Sequence, residues 1–220
     1  MTTIGFIGSG HIGSTLAKAA IAHGYDVVLS NSRGPETLSE LVAELGPQAR
    51  AATAEEAAAA GELVVVTIPT KNVPQVPVAP LAGKIVIDTN NYYPVRDGRI
   101  PALDEEQQTV SGLLQEHLDA ATPSARVVKA FNHINWQQIL PQARPAGDPE
   151  RIALAVWSDD ADASARVAAF VDELGYDPLE AGPLADSWRI ERDTPGYTAL
   201  VTKPELELAL TRAERAVVHS

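Results

Sequence analysis

Glycines at 8, 10 and 13, in the run Ile4-Gly-Phe-Ile-Gly8-Ser9-Gly10-His11-Ile12-Gly13-Ser-Thr15, have the spacing of a turn that holds a pyrophosphate. Gly8 makes the tight turn, Gly10 lets the backbone approach the phosphates, and Gly13 brings a helix against the preceding strand. Ser9, His11 and Ile12 lend their main chain to the same cradle. The amides at the start of the helix and its positive dipole end favour the anion. Glycine-rich turns are common. Here the motif lies between an apolar strand and a long Ala/Leu-rich helix, and a second strand, Asp26-Val-Val-Leu-Ser30, follows. That context predicts dinucleotide binding.

The end of the second strand bears on which dinucleotide. An NAD site places Asp or Glu about 20 residues past the glycines to accept from the ribose hydroxyls. Here the strand runs into Ser30-Asn31-Ser32-Arg33-Gly34, with Asp26 at the wrong end and Glu36 in the next turn. Asn31 and Ser32 offer hydrogen bonds, and Arg33 can pair with a 2′-phosphate. NADP(H) is the expected dinucleotide.

The elements that must position these residues alternate along the chain. Strands are predicted at 3–7, 26–30, 49–52, 62–68, 84–88, 125–131, 152–157 and 177–181. Their unbroken Val/Ile runs suit a parallel sheet buried on both faces. Helices are predicted near 11–23, 35–45, 54–60, 71–79, 109–120, 160–174 and 203–218. The expected fold is α/β: a doubly wound (Rossmann), mostly parallel sheet with a small C-terminal αβ extension. Residues 1–140 would form the NADP-binding domain and 141–220 the extension with its terminal helix, packed as one body. That helix opens with the capping box Thr202-x-x-Glu205 and carries Leu206, Leu210, Ala213 and Val217 on one face, for the body or for a partner subunit. Residues 90–108 are polar and Pro-containing without a clear period, as in a lid or binding loop.

Composition narrows the partners. A formal charge of −12 argues against nucleic acid and anionic membrane. The chain has no cysteine, which excludes thiolate chemistry and fits a reducing cytoplasm. No basic-then-apolar leader and no run of membrane-spanning length appear, so a cytoplasmic protein is expected. The five histidines are scattered, without the spacing of a helical zinc site, so no metal is expected.

In a doubly wound sheet, ligands sit beyond the carboxyl ends of the strands. Ile68-Pro69-Thr70-Lys71, Asp88-Thr-Asn90-Asn-Tyr-Tyr-Pro94 and Phe131-Asn132-His133-Ile134-Asn-Trp136 leave those ends. His133 is either a general acid in the cleft or a hydrogen-bonded structural histidine. Lys129 and Asn132, three apart on a strand, point to opposite faces and do not form a proton-relay pair. With no convincing acid or base beside a carbonyl, the suitable partner accepts a hydride into a conjugated ring, where positioning counts more than proton relay.

The chain resembles the NADPH:F420 oxidoreductases, which exchange a hydride between NADP and a deazaflavin coenzyme. The likeness rests on the glycine turn, on Asn31-Ser-Arg-Gly-Pro-Glu-Thr37, Val64-Val-Val-Thr-Ile-Pro69 and Asp88-Thr-Asn-Asn-Tyr-Tyr-Pro94, and on Val127-Val-Lys-Ala-Phe-Asn132 and Ala181-Gly-Pro-Leu184. It implies NADP(H) as cofactor and coenzyme F420 as co-substrate. It also implies that Ser32 and Arg33 hold the 2′-phosphate and that Ile68 and Pro69 line the inner ribose. Asn90, Ala130 and Asn132 would flank the nicotinamide, with Ile134 behind it. The deazaflavin's acidic tail calls for a basic rim, for which Arg96, Arg99, Arg189 and Arg192 are candidates. Family members often carry a small residue where this chain has Asn135-Trp136; the tryptophan would stack on a ring, fill the pocket or turn into the core. An NADPH-dependent reductase of a flavin, quinone, ferric complex or imine, and a non-catalytic NADPH-binding module, are the alternative readings. The terminal helix and the resemblance point to a homodimer.

Overall fold

The computed structural model describes residues 2–215. In chain order its regular elements are β1 (Thr3–Ile7), α1 (His11–Ala22), β2 (Asp26–Ser30), α2 (Ser39–Leu45), β3 (Ala49–Ala51), α3 (Ala54–Ala60), β4 (Leu63–Val66) and β5 (Ile85–Asp88). There follow α4 (Pro94–Asp97), α5 (Pro101–Asp104), α6 (Val110–Leu118), β6 (Arg126–Lys129), α7 (Trp136–Ile139), β7 (Ala153–Ser158), α8 (Ala161–Glu173), β8 (Asp177–Gly182) and α9 (Lys203–Thr211).

All eight strands join one sheet in the order β3-β2-β1-β4-β5-β6-β7-β8. β3 through β6 run parallel; β7 runs antiparallel to β6, and β8 parallel to β7. Strand order reverses between β1 and β4, the switch point where such sheets open a crevice at their carboxyl edge. The apolar runs have two faces to fill, and each has its own core. Leu16 and Ala20 of α1 and Val167 and Phe170 of α8 pack with Ile4, Phe6 and Val128 on one face. Leu114 of α6 and Leu206 and Leu210 of α9 pack with Val64, Val86 and Val127 on the other. The apolar stripe of α9 is therefore spent on the chain's own sheet. The capping box at Thr202 is formed, but α9 ends at Thr211, short of the expected 218. Residues 216–218 of that expectation lie outside the described residues.

Two further expectations change. Residues 71–79 do not make an α-helix: Thr70–Gln75 is a 3-10 turn containing Pro74, and Pro77 lies in the link to a second such turn at Ala79–Leu81. Each proline removes an N–H that an α-helix interior would use. Residues 90–108 are ordered, with α4 and α5 each opening on a proline. The Tyr92 hydroxyl shares its one proton between the Asp104 carboxylate and the Gly98 carbonyl and accepts from the Ile100 N–H, which ties the excursion to itself. Among the described residues, no helix is long and apolar enough to cross a membrane, and no group of three or more potential ligands is placed to hold a metal.

Candidate active site at the carboxyl edge of the sheet

The glycine turn has the geometry its spacing requires. Gly8 sits at φ +107°, and a Cβ there would lie 2.1 Å from the Thr67 carbonyl oxygen, so β1 and the end of β4 meet only over glycine. A Cβ on Gly13 would lie 2.4 Å from the Gly8 oxygen, which is how α1 closes on the turn. Gly10 differs: a Cβ there would meet nothing within 4 Å. The strand–helix junction leaves space where a phosphate would approach. Gly10 caps α1 without any side-chain hydrogen bond, so the first amides of the helix, around His11, Ile12 and Gly13, remain available to an anion.

A cavity of about 260 Å³ opens beside this turn. Gly8, Ser9, Gly10, Asn31, Ser32, Ile68 and Pro69 are among its lining residues, and none of the lining side chains is acidic. Asn31 organises the turn after β2. Its Oδ1 accepts from the Arg33 N–H at 2.9 Å and its Nδ2 donates to Thr37 Oγ1 at 2.8 Å. This Asx turn leaves Ser32, which lines the cavity, and the next residue, Arg33, both exposed. The residues fit a dinucleotide with an extra phosphate: an open glycine, uncapped helix amides, and an arginine where an acid would exclude the 2′-phosphate.

Asn90, two residues past β5, adjoins the cavity through Ile68, one of its lining residues. Its Oδ1 accepts from the Ile68 N–H at 2.9 Å, while its Nδ2 is buried without a partner in the protein. A buried amide donor left unpaired costs about 1–3 kcal/mol, and a ligand carbonyl or hydroxyl lying along Ile68 would satisfy it.

The residues after β6 behave differently from expectation. Phe131 adopts φ +61°, a left-handed conformation costing about 1–3 kcal/mol in a non-glycine residue. It folds the chain back toward β5. Asn132 then acts as a strap: its Nδ2 donates to Asn91 Oδ1 (3.1 Å) and to the Ile190 carbonyl (3.0 Å), and its own carbonyl accepts from Asn91 Nδ2 (2.7 Å). Its amide protons serve the fold and are not free for a nicotinamide. Ala130 is fully buried and Ile134 nearly so, both within the core under α1 and α8.

His133 requires a correction. It is buried, with Nδ1 3.3 Å from Asn132 Oδ1 and Nε2 3.3 Å from the Ala155 N–H, from which it accepts. Burial, and to a lesser degree the Lys129 charge, lower its pKa from 6.5 to about 3. It stays neutral at physiological pH and has no free proton to deliver, so the structural alternative holds. Its place follows from the topology. β6 ends at Lys129, opposite Trp157, so β7 runs on without a neighbour on that side. The Val201 carbonyl accepts from Ala153 and the imidazole accepts from Ala155, completing the missing rungs.

A buried charge cluster lies beneath Asn90. Lys129 is fully buried, and its Nζ donates to the Asn90 carbonyl (3.2 Å) and Ser111 Oγ (3.3 Å) and pairs with Glu191 Oε1 (3.2 Å), with Asp88 Oδ2 at 4.0 Å. Asp88 accepts from the Asn90 N–H (3.0 Å) and from the Ser111 hydroxyl (2.6 Å). Burial raises its pKa, a shift opposed by Lys129 and Ser111. The face alternation expected to separate Lys129 from Asn132 does not apply, because β6 ends at Lys129 and Phe131 turns the chain before Asn132; the cluster itself was not among the expectations. The signal was present: two neighbouring apolar strands, Ile-Val-Ile-Asp88 and Arg-Val-Val-Lys129, each end on a charge.

Trp136 takes none of the three courses in full. It stacks on the His11 ring, centroids 4.4 Å apart and planes 12° from parallel, and joins α7 to the glycine turn while staying partly exposed. The expected basic rim is largely neutralised: Arg96 pairs with Asp97, Arg99 with Asp104 and Arg192 with Asp193. Arg96 and Arg192 both lie over the Tyr93 ring, and Arg189 lies apart over Trp188.

The chain is similar to several known proteins. Residues 3–92 match the family described as NADP oxidoreductase, coenzyme F420-dependent; this span runs from β1 through the turn after β5. The crystal structure of the hypothetical protein SMa0349 from Sinorhizobium meliloti is 28% identical, with a TM-score of 0.74, covering 90% of this chain and 94% of that one. A protein from Arthrobacter sp. FB24, provisionally named an F420-dependent NADP-reductase, is 27% identical with a TM-score of 0.71, covering 85% and 87%. Protein YjhV of Escherichia coli (strain K12) is 38% identical over 53 residues, 24% of this chain. That match spans 39% of the curated relative's length.

Proposed function

We propose that this chain, whose residues 3–92 match the family described as NADP oxidoreductase, coenzyme F420-dependent, moves a hydride between NADP(H) and the deazaflavin ring of coenzyme F420. The observation that carries the dinucleotide half is the cavity itself. Its glycine turn is open at Gly10, none of its lining side chains is acidic, Arg33 follows the lining residue Ser32, and Asn90, bonded to the lining residue Ile68, keeps an unpaired buried donor.

The first amides of α1 hold the pyrophosphate, and Ser32 with Arg33 grips the 2′-phosphate. Ile68 and Pro69 press on the inner ribose, and Asn90 orients the nicotinamide end. NADPH, when bound, supplies the hydride. The protein's share is alignment and exclusion of water, since two flat rings in contact need little else. The absence of a free acid at the site, with His133 neutral and buried, fits an acceptor that needs no positioned proton donor.

The paired arginines favour a second reading of the acceptor. With Arg96, Arg99 and Arg192 each answered by a carboxylate, a conjugated acceptor without an acidic tail fits the rim better. Purified protein is incubated with NADPH and, separately, with F420, its tail-less deazaflavin core, a flavin or a quinone, and loss of reduced-nicotinamide absorbance is followed. Turnover with intact F420 supports the first reading. Turnover only with tail-less acceptors supports the second. NADPH binding without turnover of any acceptor overturns both in favour of a binding module.

A further inference from the structure

We propose that Lys129 and Asp88 form a buried clamp that fixes the Asn90 main chain from both sides and so aims its amide at the nicotinamide end of the bound dinucleotide. The inference rests on the NADP(H) reading above and names positioning residues for it. Asp88 and Lys129 end neighbouring strands in direct register. The Asp88 carboxylate takes the Asn90 N–H and the Lys129 ammonium donates to the Asn90 carbonyl, so opposite charges grip the two polar groups of one residue. Ser111, at the start of α6, bridges the pair: its hydroxyl donates to Asp88 at 2.6 Å and accepts from Lys129 at 3.3 Å. Glu191 takes the third direction of the ammonium and is itself held by the Val110 N–H. Every ammonium proton thus has an acceptor, and both Asp88 oxygens have donors.

A fully buried ion pair adds little stability over apolar residues of the same volume, because desolvation offsets the attraction. What this one contributes is direction. It leaves the Asn90 peptide one orientation, in which Oδ1 takes the Ile68 N–H and Nδ2 is left over for a ligand. The clamp does not touch the glycine turn or the 30–37 turn, which hold the phosphates and the adenosine.

That separation gives the test. Lys129→Met, Ser111→Ala and Ser111→Thr are compared with the wild type for affinity to NADPH and to adenosine 2′,5′-bisphosphate, which reaches only the adenosine end. Turnover is measured alongside. Lys129→Met is expected to bind the bisphosphate like the wild type and to lose about tenfold to a hundredfold in kcat, the scale of a misaligned reacting group. Ser111→Ala should fall in the same direction by less, and Ser111→Thr, which keeps the hydroxyl, should restore it. A folded Lys129→Met with unchanged kcat overturns the clamp, as does an equal loss of affinity for both ligands, the mark of general loosening. If Lys129→Met does not fold, the Ser111 pair is judged by the same criteria. If the wild type turns over no acceptor, the hydride-transfer reading fails, and the clamp is judged by the emission anisotropy of bound NADPH. Lower anisotropy in the Ser111→Ala complex at equal bisphosphate affinity supports the clamp, and unchanged anisotropy overturns it.

Discussion

Lowering the pH should weaken the fold through His133, by an amount the structure sets. The imidazole is neutral in the folded chain, with its pKa lowered from 6.5 to about 3 by burial and by Lys129. In the unfolded chain it regains its ordinary value. Between those two values the unfolded state binds the extra proton, so stability falls as pH drops below about 6.5 and the loss ends near the folded value. At about 1.4 kcal/mol per pH unit, the full window corresponds to at most about 5 kcal/mol, and the step from about pH 7.5 to about pH 5 to about 2 kcal/mol. Over that upper range most carboxylates stay charged, which keeps the histidine's share separable. Urea unfolding at several pH values, on the wild type and on His133→Gln, measures it. Glutamine offers an amide oxygen to the Ala155 N–H but binds no proton. The wild type should lose about 2 kcal/mol more than the variant across this step. Parallel losses in both proteins would refute a neutral, buried His133.

Arg33→Ala should weaken NADPH binding by about 1–3 kcal/mol while leaving NADH unchanged, as titration of both dinucleotides will show; equal losses would remove the arginine from the 2′-phosphate. Gly10→Ala should melt like the wild type, because its methyl meets nothing within 4 Å, yet lose NADPH affinity by at least about tenfold, the methyl occupying the phosphate's approach. Gly8→Ala should instead fail in stability, since its φ of +107° and the Thr67 oxygen 2.1 Å away both oppose a side chain. Thermal melts and binding isotherms on the two variants separate these fates.

Much of this fold can be read from local patterns because its strands are buried on both faces. Runs such as Leu63–Val66 and Val127–Val128 cannot be mistaken for a surface, and all eight strands fall where those runs lie. The glycine turn is equally legible, since its spacing answers to a backbone geometry with few solutions. What escaped depends on contacts across the sheet. The stretch 71–79 is the exception: its apolar residues suggest a helix, but the prolines that break it, Pro74 and Pro77, stand in the sequence itself. His133 looks like a cleft residue until β7 is known to run past the end of β6 and to need a partner there. The Lys129 cluster appears only when β5 and β6 are set side by side. Arg96, Arg99 and Arg192 look like a basic rim until their carboxylates, one to five residues away, are seen to answer them.

An open sheet has two rims, and each is a template on which a foreign strand can grow. In this chain both are poor templates. β3 offers only three residues, with the Arg50 side chain exposed among them. β8 carries Pro178, which has no N–H to give, and its ladder slips in register between Val156 and Trp157. Copies of this protein crowded together are thereby steered away from edge-to-edge fusion, and any assembly they build has to meet through helices and loops.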